Sequence, residues 1–218
     1  MRDITSYKAY IFDMDGTLYF KRPMQLRMAW QLGWYYLFRL HRAKELLLLR
    51  RYRQLREQEE LTSQVGFEAL LRQQLTEEFS IPLTQVDSIV ESWMLRRPLE
   101  AVKRSADRRL LSFFQARQAE GKKVFVYSDY PARDKCRELG LEPDGIYWPD
   151  GQRIHVMKPE PAGLSFILAE NALTPEEVLF IGDRAEKDGR CAAAVGADAF
   201  ILPAGPFRRR NRWKGGPG

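Results

Sequence analysis

Two aspartates one residue apart, Asp13 and Asp15, follow an apolar run near the start of the chain, in the stretch YIFDMDGTLY. Acidic residues are depleted in strands, and carboxylates are almost never fully buried without a partner. Three further polar residues, Ser128, Asp183 and Asp188, stand at or just beyond the ends of other apolar runs. The two aspartates therefore belong to a group of side chains that a sheet could gather at one edge.

The chemistry of this group follows from its charge, because carboxylates that crowd together repel one another unless a cation or protons hold them. Oxygen ligands without an accompanying His or Cys cluster favour a hard cation, of which Mg²⁺ is the simplest choice. A bound cation beside a spare carboxylate indicates nucleophilic catalysis on a phosphoryl group, through an aspartyl-phosphate intermediate. Lys158 could supply a fixed positive charge to that group, Ser128 could donate its hydroxyl, and Gly16 would let the backbone approach the ligand closely.

Short apolar runs alternate with helical periods along most of the chain, which predicts an α/β fold. We expect a Rossmann-like, mostly parallel sheet with helices on both faces, and ligands bind such sheets beyond the carboxyl ends of the strands. The stretch Thr174-Pro175-Glu176-Glu177 predicts a further helix start, with a capping residue and a proline at the first position. The predicted strands are 7–12, 123–127, 145–148, 178–181 and 199–202, and the predicted helices are 106–120, 132–139, 161–171 and 187–195.

Residues 21–98 interrupt this alternation, since they contain no convincing strand and are rich in Leu, Gln, Glu and Arg. One helix is predicted from Met24 to about Glu60, followed by shorter helices at 67–79 and 84–96. We therefore predict an all-helical cap, residues 21–98, inserted after the first strand of a catalytic core. That core would comprise residues 1–20 and 99–218.

Four short motifs carry a resemblance to a known family. DMDGTL (13–18), YSD (127–129), KPEP (158–161) and GDRAEKD (182–188) resemble, in their order and their strand-end context, the four motifs of the haloacid dehalogenase-like superfamily. The resemblance covers roughly residues 7–20 and 99–203, and the helical insertion stands where the family carries its helical cap. It implies a hydrolase similar to the phosphoglycolate phosphatases.

Site roles are implied by the resemblance, residue by residue. Asp13 would be the nucleophile and a Mg²⁺ ligand, and Asp15 the general acid/base, with its backbone carbonyl as a second metal ligand. Asp183 would ligate the metal, and Asp188 would orient the metal or its bound water. Thr17 would support the position of Asp15. The phosphate-binding residues implied are Thr17, Ser128, Asp129 and Lys158.

Two features depart from the family pattern. The residues Leu18-Tyr19-Phe20 are apolar and aromatic where family phosphatases often carry an acidic or small polar residue, and the cap is unusually rich in arginine and aromatics. We expect neither feature to touch the catalytic set, but both leave the substrate open. The dehalogenase branch of the family lacks the acid/base aspartate, so Asp15 favours phosphate chemistry.

The predicted function is a Mg²⁺-dependent phosphatase that hydrolyses a small organic phosphate monoester, with a small phosphorylated metabolite as its partner. Two alternatives stay open. A sugar-phosphate mutase would use the same residues, with a sugar hydroxyl attacking the intermediate in place of water. A protein dominated by its basic segments would bind an anionic membrane or nucleic acid, and could combine this with hydrolysis of a lipid phosphate. Nucleic acid is not the partner that we expect.

Net charge and cysteine content indicate the cellular environment of the protein. The net charge of +6 arises from residues 21–60 and from the tail that begins at Ala204, so it says little about the core. Cys136 and Cys191 have no metal-type spacing and form no disulfide framework. Since the N-terminus also lacks an apolar signal-type segment, we expect a cytoplasmic protein, as a monomer or a homodimer.

The stretch MAWQLGWYYLFRL (28–40) combines five aromatic residues with arginine. The eleven residues between Arg27 and Arg39 are well short of the roughly twenty that span a bilayer. Apolar positions run almost all the way round the predicted helix, which favours burial within the cap or self-association. Contact with a membrane surface is the less favoured alternative and stays open.

Overall fold

The centre of the structure is a five-stranded parallel sheet, seen in a computed structural model that describes residues 3–203. All five predicted strands are present, every strand pair is parallel, and the predicted α/β fold class is confirmed. The strands are β1 (Ala9–Phe12), β2 (Lys123–Tyr127), β3 (Gly145–Tyr147), β4 (Val178–Gly182) and β5 (Asp198–Ile201), in the order β3-β2-β1-β4-β5. The order reverses between β1 and β4, where a doubly wound sheet opens a crevice for ligands.

Ten helices surround this sheet within residues 3–203. The helices predicted at 67–79, 106–120, 132–139 and 161–171 are present within two residues of those bounds. The last helix begins at Arg190 and not at residue 187, because a separate tight turn occupies Ala185–Gly189. The ten helices are α1 (Lys21–Leu37), α2 (Lys44–Leu55), α3 (Glu59–Thr62), α4 (Phe67–Phe79), α5 (Leu83–Val90), α6 (Pro98–Arg104), α7 (Arg108–Ala119), α8 (Arg133–Leu139), α9 (Ala162–Glu170) and α10 (Arg190–Val195).

Alternation along the strands produces one hydrophobic cluster on each face of the sheet. Tyr10 and Phe12 of β1 join a cluster with side chains of α7 and α8, whereas Ala9 and Ile11 join a second cluster with α9 and α10. Both faces of β1 are therefore buried, which is why its sequence is continuously apolar rather than alternating.

The helices between β1 and β2 have a hydrophobic cluster of their own, drawn from residues 28–101. Leu71, Leu75 and Val86 are fully buried in it. A π-helical segment, Glu91–Arg96, continues α5 toward α6, and α6 packs against both α1 and α8. The helical character predicted for the cap is confirmed, while its predicted bounds at residues 21 and 98 stay a prediction.

The single helix predicted from Met24 to about Glu60 is wrong, since the chain turns back between α1 and α2. The backbone of Arg39 leaves the helical region, with φ −138° and ψ 49°. Glu45 holds the turn, because its carboxylate accepts hydrogen bonds from the Tyr36 hydroxyl at 2.7 Å and from Arg42 Nε at 2.6 Å. No Gly or Pro marks this break, so local signals did not reveal it.

The helix start predicted at Thr174 is a single 3₁₀ turn, Pro175–Glu177, that leads directly into β4. The predicted capping box does form between Thr174 and Glu177. Val178 nevertheless begins a buried strand that pairs with β1 on one side and, from Leu179, with β5 on the other. Tertiary pairing thus overrides the local helix signal.

The outer face of α1 departs from the expected burial of its aromatics. Trp30, Trp34 and Phe38 are 74%, 60% and 69% exposed, so burial within the cap is wrong for these side chains. On α1 only Met28 and Tyr36 are buried. Among the described helices, none has the length and apolar character needed to cross a membrane. The basic tail from Ala204 lies outside the described residues.

Candidate active site

Three carboxylates meet at the carboxyl edge of the sheet. Asp13 directly follows β1, Asp183 directly follows the neighbouring β4, and Asp188 lies in the tight turn before α10. Each offers an oxygen, and these three oxygens lie within 4.8 Å of one another. Strands far apart in sequence but adjacent in the sheet therefore produce the convergence that the sequence predicts.

Lys158 lies between two of these carboxylates. Its Nζ donates to Asp13 Oδ1 and to Asp188 Oδ1, both at 2.7 Å, and its side chain is 1% exposed. Burial alone would lower the pKa of Lys158, but the carboxylates of Asp13 and Asp188 raise it well above its usual value. Burial raises the pKa of Asp13, and the charges of Asp188 and Asp183 raise it further, although Lys158 opposes them.

Backbone donors and a glycine bring the acidic groups into position. Asp188 Oδ2 accepts hydrogen bonds from the backbone N–H groups of Asp183 and Arg184, each at 3.1 Å. Gly16 has φ +102°, and a Cβ at this position would lie 2.2 Å from Asp183 Oδ2. The turn after β1 therefore needs a residue without a side chain, both for its backbone conformation and for the approach of Asp183.

Asp15 stands apart from the three carboxylates, with donors of its own. Its Oδ1 accepts hydrogen bonds from Lys135 Nζ at 2.5 Å and from the Tyr19 hydroxyl, and its Oδ2 accepts from Ser128 Oγ at 3.4 Å. Burial would raise the pKa of Asp15, but Lys135 and Tyr19 lower it below its usual value. The Thr17 hydroxyl donates to Asp13 Oδ2 at 3.0 Å, so Thr17 supports the nucleophile candidate, and its expected support of Asp15 stays a prediction.

Lys135 and Tyr19 are site residues that the sequence analysis missed. Tyr19 belongs to the apolar stretch that was expected not to touch the catalytic set, and its hydroxyl shows that this expectation is wrong. Lys135 lies on α8, the helix that follows β2, and is 5% exposed. A cation on the helix that follows Ser128 could have been recognised in the sequence as a candidate site residue. Arg133 and Arg137 lie on the same helix, however, and only the rotation of that helix determines that Lys135 faces the site.

Ser128 and Asp129 lie at the end of β2, as predicted, but their side chains have structural partners. Ser128 is fully buried, and its Oγ accepts from the backbone N–H of Tyr130 at 3.2 Å. Asp129 Oδ1 accepts from the backbone N–H of Lys158 at 3.4 Å, and Oδ2 lies 3.7 Å from Lys187 Nζ. The Asp129 side chain therefore orders two lysines, and its negative charge does not suit the predicted contact with a phosphate.

Arg56 and Glu57, which follow α2, contact the loops after β2 and β4 that carry site residues. Glu57 accepts hydrogen bonds from Arg184 at 2.9 and 3.1 Å and lies 3.5 Å from Lys187. Arg56 is 1% exposed and donates to the backbone carbonyl of Asp129. Arg56 of the arginine-rich cap thus contacts Asp129, one of the predicted site residues, contrary to the expectation from sequence.

A cavity of about 450 Å³ lies between the carboxylates and α1. Asp13, Asp15, Lys158, Asp183 and Asp188 all line it. The buried lysines Lys135 and Lys187 line the same cavity. Carboxylates and buried ammonium groups therefore face one space, which is an arrangement suited to binding a cation together with an anionic group.

The chain belongs to the haloacid dehalogenase-like hydrolases, because the model of that family matches residues 7–196. Among solved structures, it is similar to L-2-haloacid dehalogenase from Xanthobacter autotrophicus, with 19% identity, a TM-score of 0.60, and coverage of 90% of this chain and 77% of that chain. It is also similar to the HAD-hydrolase YfnB from Bacillus subtilis (13% identity, TM-score 0.61, 92% and 90% covered).

A HAD phosphatase from Thermococcus onnurineus is a third similar structure, with 17% identity, a TM-score of 0.53, and coverage of 95% of this chain and 89% of that chain. At these identities the likeness shows the fold. None of the curated protein sequences compared with this chain matches it at a significant level. The comparisons therefore establish a hydrolase fold family that contains both dehalogenases and phosphatases.

Proposed function

We propose that the protein is a Mg²⁺-dependent phosphatase that hydrolyses small organic phosphate monoesters through an aspartyl-phosphate on Asp13. The observation that carries this proposal is the charge of the carboxylate cluster. When ionised, Asp13, Asp183 and Asp188 contribute three negative charges, and Lys158 contributes one positive charge. Two negative charges are left, which one divalent cation would neutralise.

The donor set fits Mg²⁺. The ligand atoms are carboxylate oxygens, the type that Mg²⁺ takes at about 2.0–2.1 Å. They lie within 4.8 Å of one another, so small side-chain movements would bring them onto one ion. Asp13 and Asp183 would hold the ion, with Asp188 beside them. A divalent cation bound there would offset the charge on the phosphoryl oxygens of a substrate. YfnB, the similar protein from Bacillus subtilis, was solved bound to magnesium.

Two displacement steps follow from the positions of Asp13 and Asp15. In the first, an Asp13 oxygen bonds to phosphorus while the bond from phosphorus to the ester oxygen breaks, and Asp15 gives its proton to the departing oxygen. In the second, water attacks the phosphorus of phospho-Asp13, Asp15 takes the water proton, and Asp13 and inorganic phosphate are released. Lys158 holds Asp13 throughout and neutralises one charge of the transferred group.

The environment of Asp15 suits both halves of this cycle. With the site free of substrate, Lys135 and Tyr19 keep the Asp15 pKa low, so the group is a carboxylate ready to accept a proton. A dianionic phosphate ester would bring negative charge beside it and favour the protonated form. Displacement of halide from a haloacid needs no such proton donor, which is why Asp15 favours the phosphatase over the dehalogenase reaction.

The proposal is tested by measuring phosphate release from p-nitrophenyl phosphate in MgCl₂ and in EDTA, alongside chloride release from L-2-chloropropionate. We expect phosphate release that requires Mg²⁺, with no chloride release. Asp13→Asn should abolish phosphate release without unfolding the protein, whereas Asp134→Asn, at an exposed carboxylate on α8, should leave it unchanged. Chloride release that persists in EDTA, or full activity of Asp13→Asn, would refute the proposal.

The mutase alternative is separated by product analysis. A mutase would convert one sugar phosphate isomer into another with little free phosphate, whereas the phosphatase releases one phosphate for each ester consumed. Glucose 1-phosphate is a suitable probe, because both products can be quantified in the same reaction. Isomer formation that exceeds phosphate release would favour the mutase.

A further inference from the structure

The wall of the active-site cavity that faces the carboxylates is apolar. α1 contributes Met24, Met28 and Leu32, the π-helical segment contributes Trp93 and Met94, and the core contributes Met157. Met28, Trp93 and Met157 are buried, with 2–3% of their surface exposed. Four of the six methionines in the chain line this one cavity: Met24, Met28, Met94 and Met157.

We propose that the substrate of this site carries a flexible apolar leaving group, such as an alkyl chain, rather than a sugar or a nucleoside. This inference rests on the phosphatase function proposed above. Methionine is unbranched and polarisable, so a methionine-rich wall adapts to apolar chains of varied shape. A ligand with its phosphate at the carboxylates would direct the rest of its structure against this wall.

The polar groups of the cavity wall support the same inference. Away from the carboxylates, the polar lining residues contributed by the cap are Lys21, Gln25, Arg53 and Glu57, and Glu57 is already bonded to Arg184. Gln25 is the one neutral amide among these four residues. These residues are mostly donors, so the several hydroxyls of a sugar would find few acceptors among them, and each unpaired hydroxyl disfavours binding.

A nucleobase would not find an open stacking surface on Trp93. The ring of Trp93 stacks on Tyr36, with centroids 5.7 Å apart, and the guanidinium carbon of Arg97 lies 4.2 Å from its centroid. Since the residue is 3% exposed, it presents little more than an edge to the cavity. The wall is thus suited to an aliphatic chain.

Straight-chain alkyl phosphates from ethyl to octyl test the inference, at concentrations below their critical micelle concentrations. Each methylene buried against the wall should raise kcat/KM about fourfold, until the cavity is filled. Phosphoglycolate, glucose 6-phosphate and AMP should be hydrolysed less efficiently than butyl phosphate. A flat series, or a preference for the hydroxylated esters, would overturn the inference while leaving a phosphatase. Failure to release phosphate from any ester would instead overturn the proposed function.

A pair of matched variants links the chain-length dependence to the wall. Met24→Gln replaces one unbranched side chain with a polar one of similar length, and should reduce the ratio of octyl to ethyl phosphate kcat/KM by about fourfold or more. Leu70→Gln, on the exposed side of α4, should leave that ratio unchanged. An unchanged ratio in Met24→Gln, with a folded protein by circular dichroism, would also overturn the inference.

The outer face of α1 supports a second, independent inference. Leu26, Trp30, Trp34 and Phe38 recur along one side of the helix and are all at least 60% exposed, and Trp30 stacks on Trp34, with ring centroids 6.4 Å apart. The stretch from Lys21 to Lys44 contains no Asp or Glu. Its exposed cations are Arg22, Arg27, Arg39 and Lys44, together with Arg42, which is paired with Glu45.

We infer that this face docks on an anionic lipid surface. Tryptophan and phenylalanine suit the boundary between headgroups and acyl chains, and a helix with such residues beside cations lies in that boundary. The positive charge complements anionic headgroups, and it falls away within a Debye length. A second copy of the chain would bring this cationic stretch against itself, which disfavours self-association through the same face.

Vesicle co-sedimentation tests the docking face, with phosphatidylcholine vesicles that contain or lack phosphatidylglycerol. We expect binding only to the anionic vesicles, with a loss of about fivefold for each of Arg27→Gln and Arg39→Gln. The double variant Trp30→Gln/Trp34→Gln should lose binding, whereas Leu70→Gln should retain it. Equal binding by the tryptophan variant would place the contact elsewhere in the chain. If the protein were a dimer, and only the tryptophan variant were monomeric, the face would be assigned to contact with a second copy and the inference would be overturned.

Discussion

The central lysine of the site, Lys158, offers the sharpest test of the charge argument. Lys158→Met keeps the length and apolar stem of the side chain and removes only the ammonium that lies 2.7 Å from both Asp13 and Asp188. The buried carboxylates of Asp13 and Asp188 would then lose the ammonium that they share. We expect the variant to fold but to be destabilised, and to depend on a divalent cation for part of its stability.

The magnitude follows from the burial of the group. Removing one partner of a buried ion pair destabilises a protein by about 3–5 kcal/mol, because the other charge is left without compensation. For a chain of this size that corresponds to a fall in Tm of roughly 6–20 °C. A divalent cation that bound only the folded protein would stabilise it by RT ln(1 + c/Kd), where c is the concentration of free cation, so the gain in stability grows with the logarithm of the affinity. Since the variant cluster is more negative, Mg²⁺ should stabilise the variant more than the wild type.

The assay is thermal and urea unfolding in EDTA and in excess MgCl₂, followed by circular dichroism. Lys123→Met is the matched control. The Lys123 side chain is 63% exposed, and its Nζ lies 3.0 Å from Asp144 Oδ1. That change should lower the free energy of unfolding by no more than about 1 kcal/mol, with no dependence on Mg²⁺. Two results would refute the assignment of the cluster as a charged cation site. One is a Lys158→Met variant as stable in EDTA as the control, and the other is equal stabilisation of both variants by Mg²⁺.

Three further predictions concern the turn after β1, the contact between cap and core, and a buried thiol. Gly16→Ala should lower phosphate release about 100-fold, because its methyl group must displace Asp183 by about 1 Å, whereas Gly33→Ala, with open space around it, should leave activity intact. Glu57→Gln should lower the free energy of unfolding by at most about 1 kcal/mol in urea titrations, since the carboxylate is 54% exposed. Cys136, whose pKa burial raises to about 12, should not react with Ellman's reagent at pH 8 until the protein unfolds, and rapid labelling of the native protein would contradict its burial.

The sheet was predictable because its signals are local and strong. β2 occupies the predicted residues 123–127, and β1, β3, β4 and β5 differ from the predicted bounds by one or two residues. β1, β2 and β4 are short apolar runs followed directly by Asp13, Ser128 and Asp183, and the topology then places those polar residues at one edge. The convergence of Asp13, Asp183, Asp188 and Lys158 follows from this arrangement, which is why residues up to 175 positions apart could be grouped from sequence.

The cap and its contacts with the core were less predictable, because tertiary packing decides them. The break between α1 and α2 has no Gly or Pro, and depends on Glu45 pairing with Tyr36 and Arg42. Lys135 reaches Asp15 because of the phase of α8 relative to β1, which no spacing within the sequence encodes. Local patterns thus specify the elements, while the partner of each charged side chain depends on how those elements pack.

The apolar residues of α1 show where the hydrophobic pattern is ambiguous. Apolar positions almost all the way round a helix usually indicate burial, and that reading favoured a place inside the cap. The structure divides them instead, because Met24, Met28 and Leu32 line the cavity while Trp30, Trp34 and Phe38 face outward. A cavity wall and a docking surface are both built from apolar side chains, as a core is, so periodicity alone does not distinguish among them. This division places the wall that would select the leaving group and the face that would contact lipid on opposite sides of one helix.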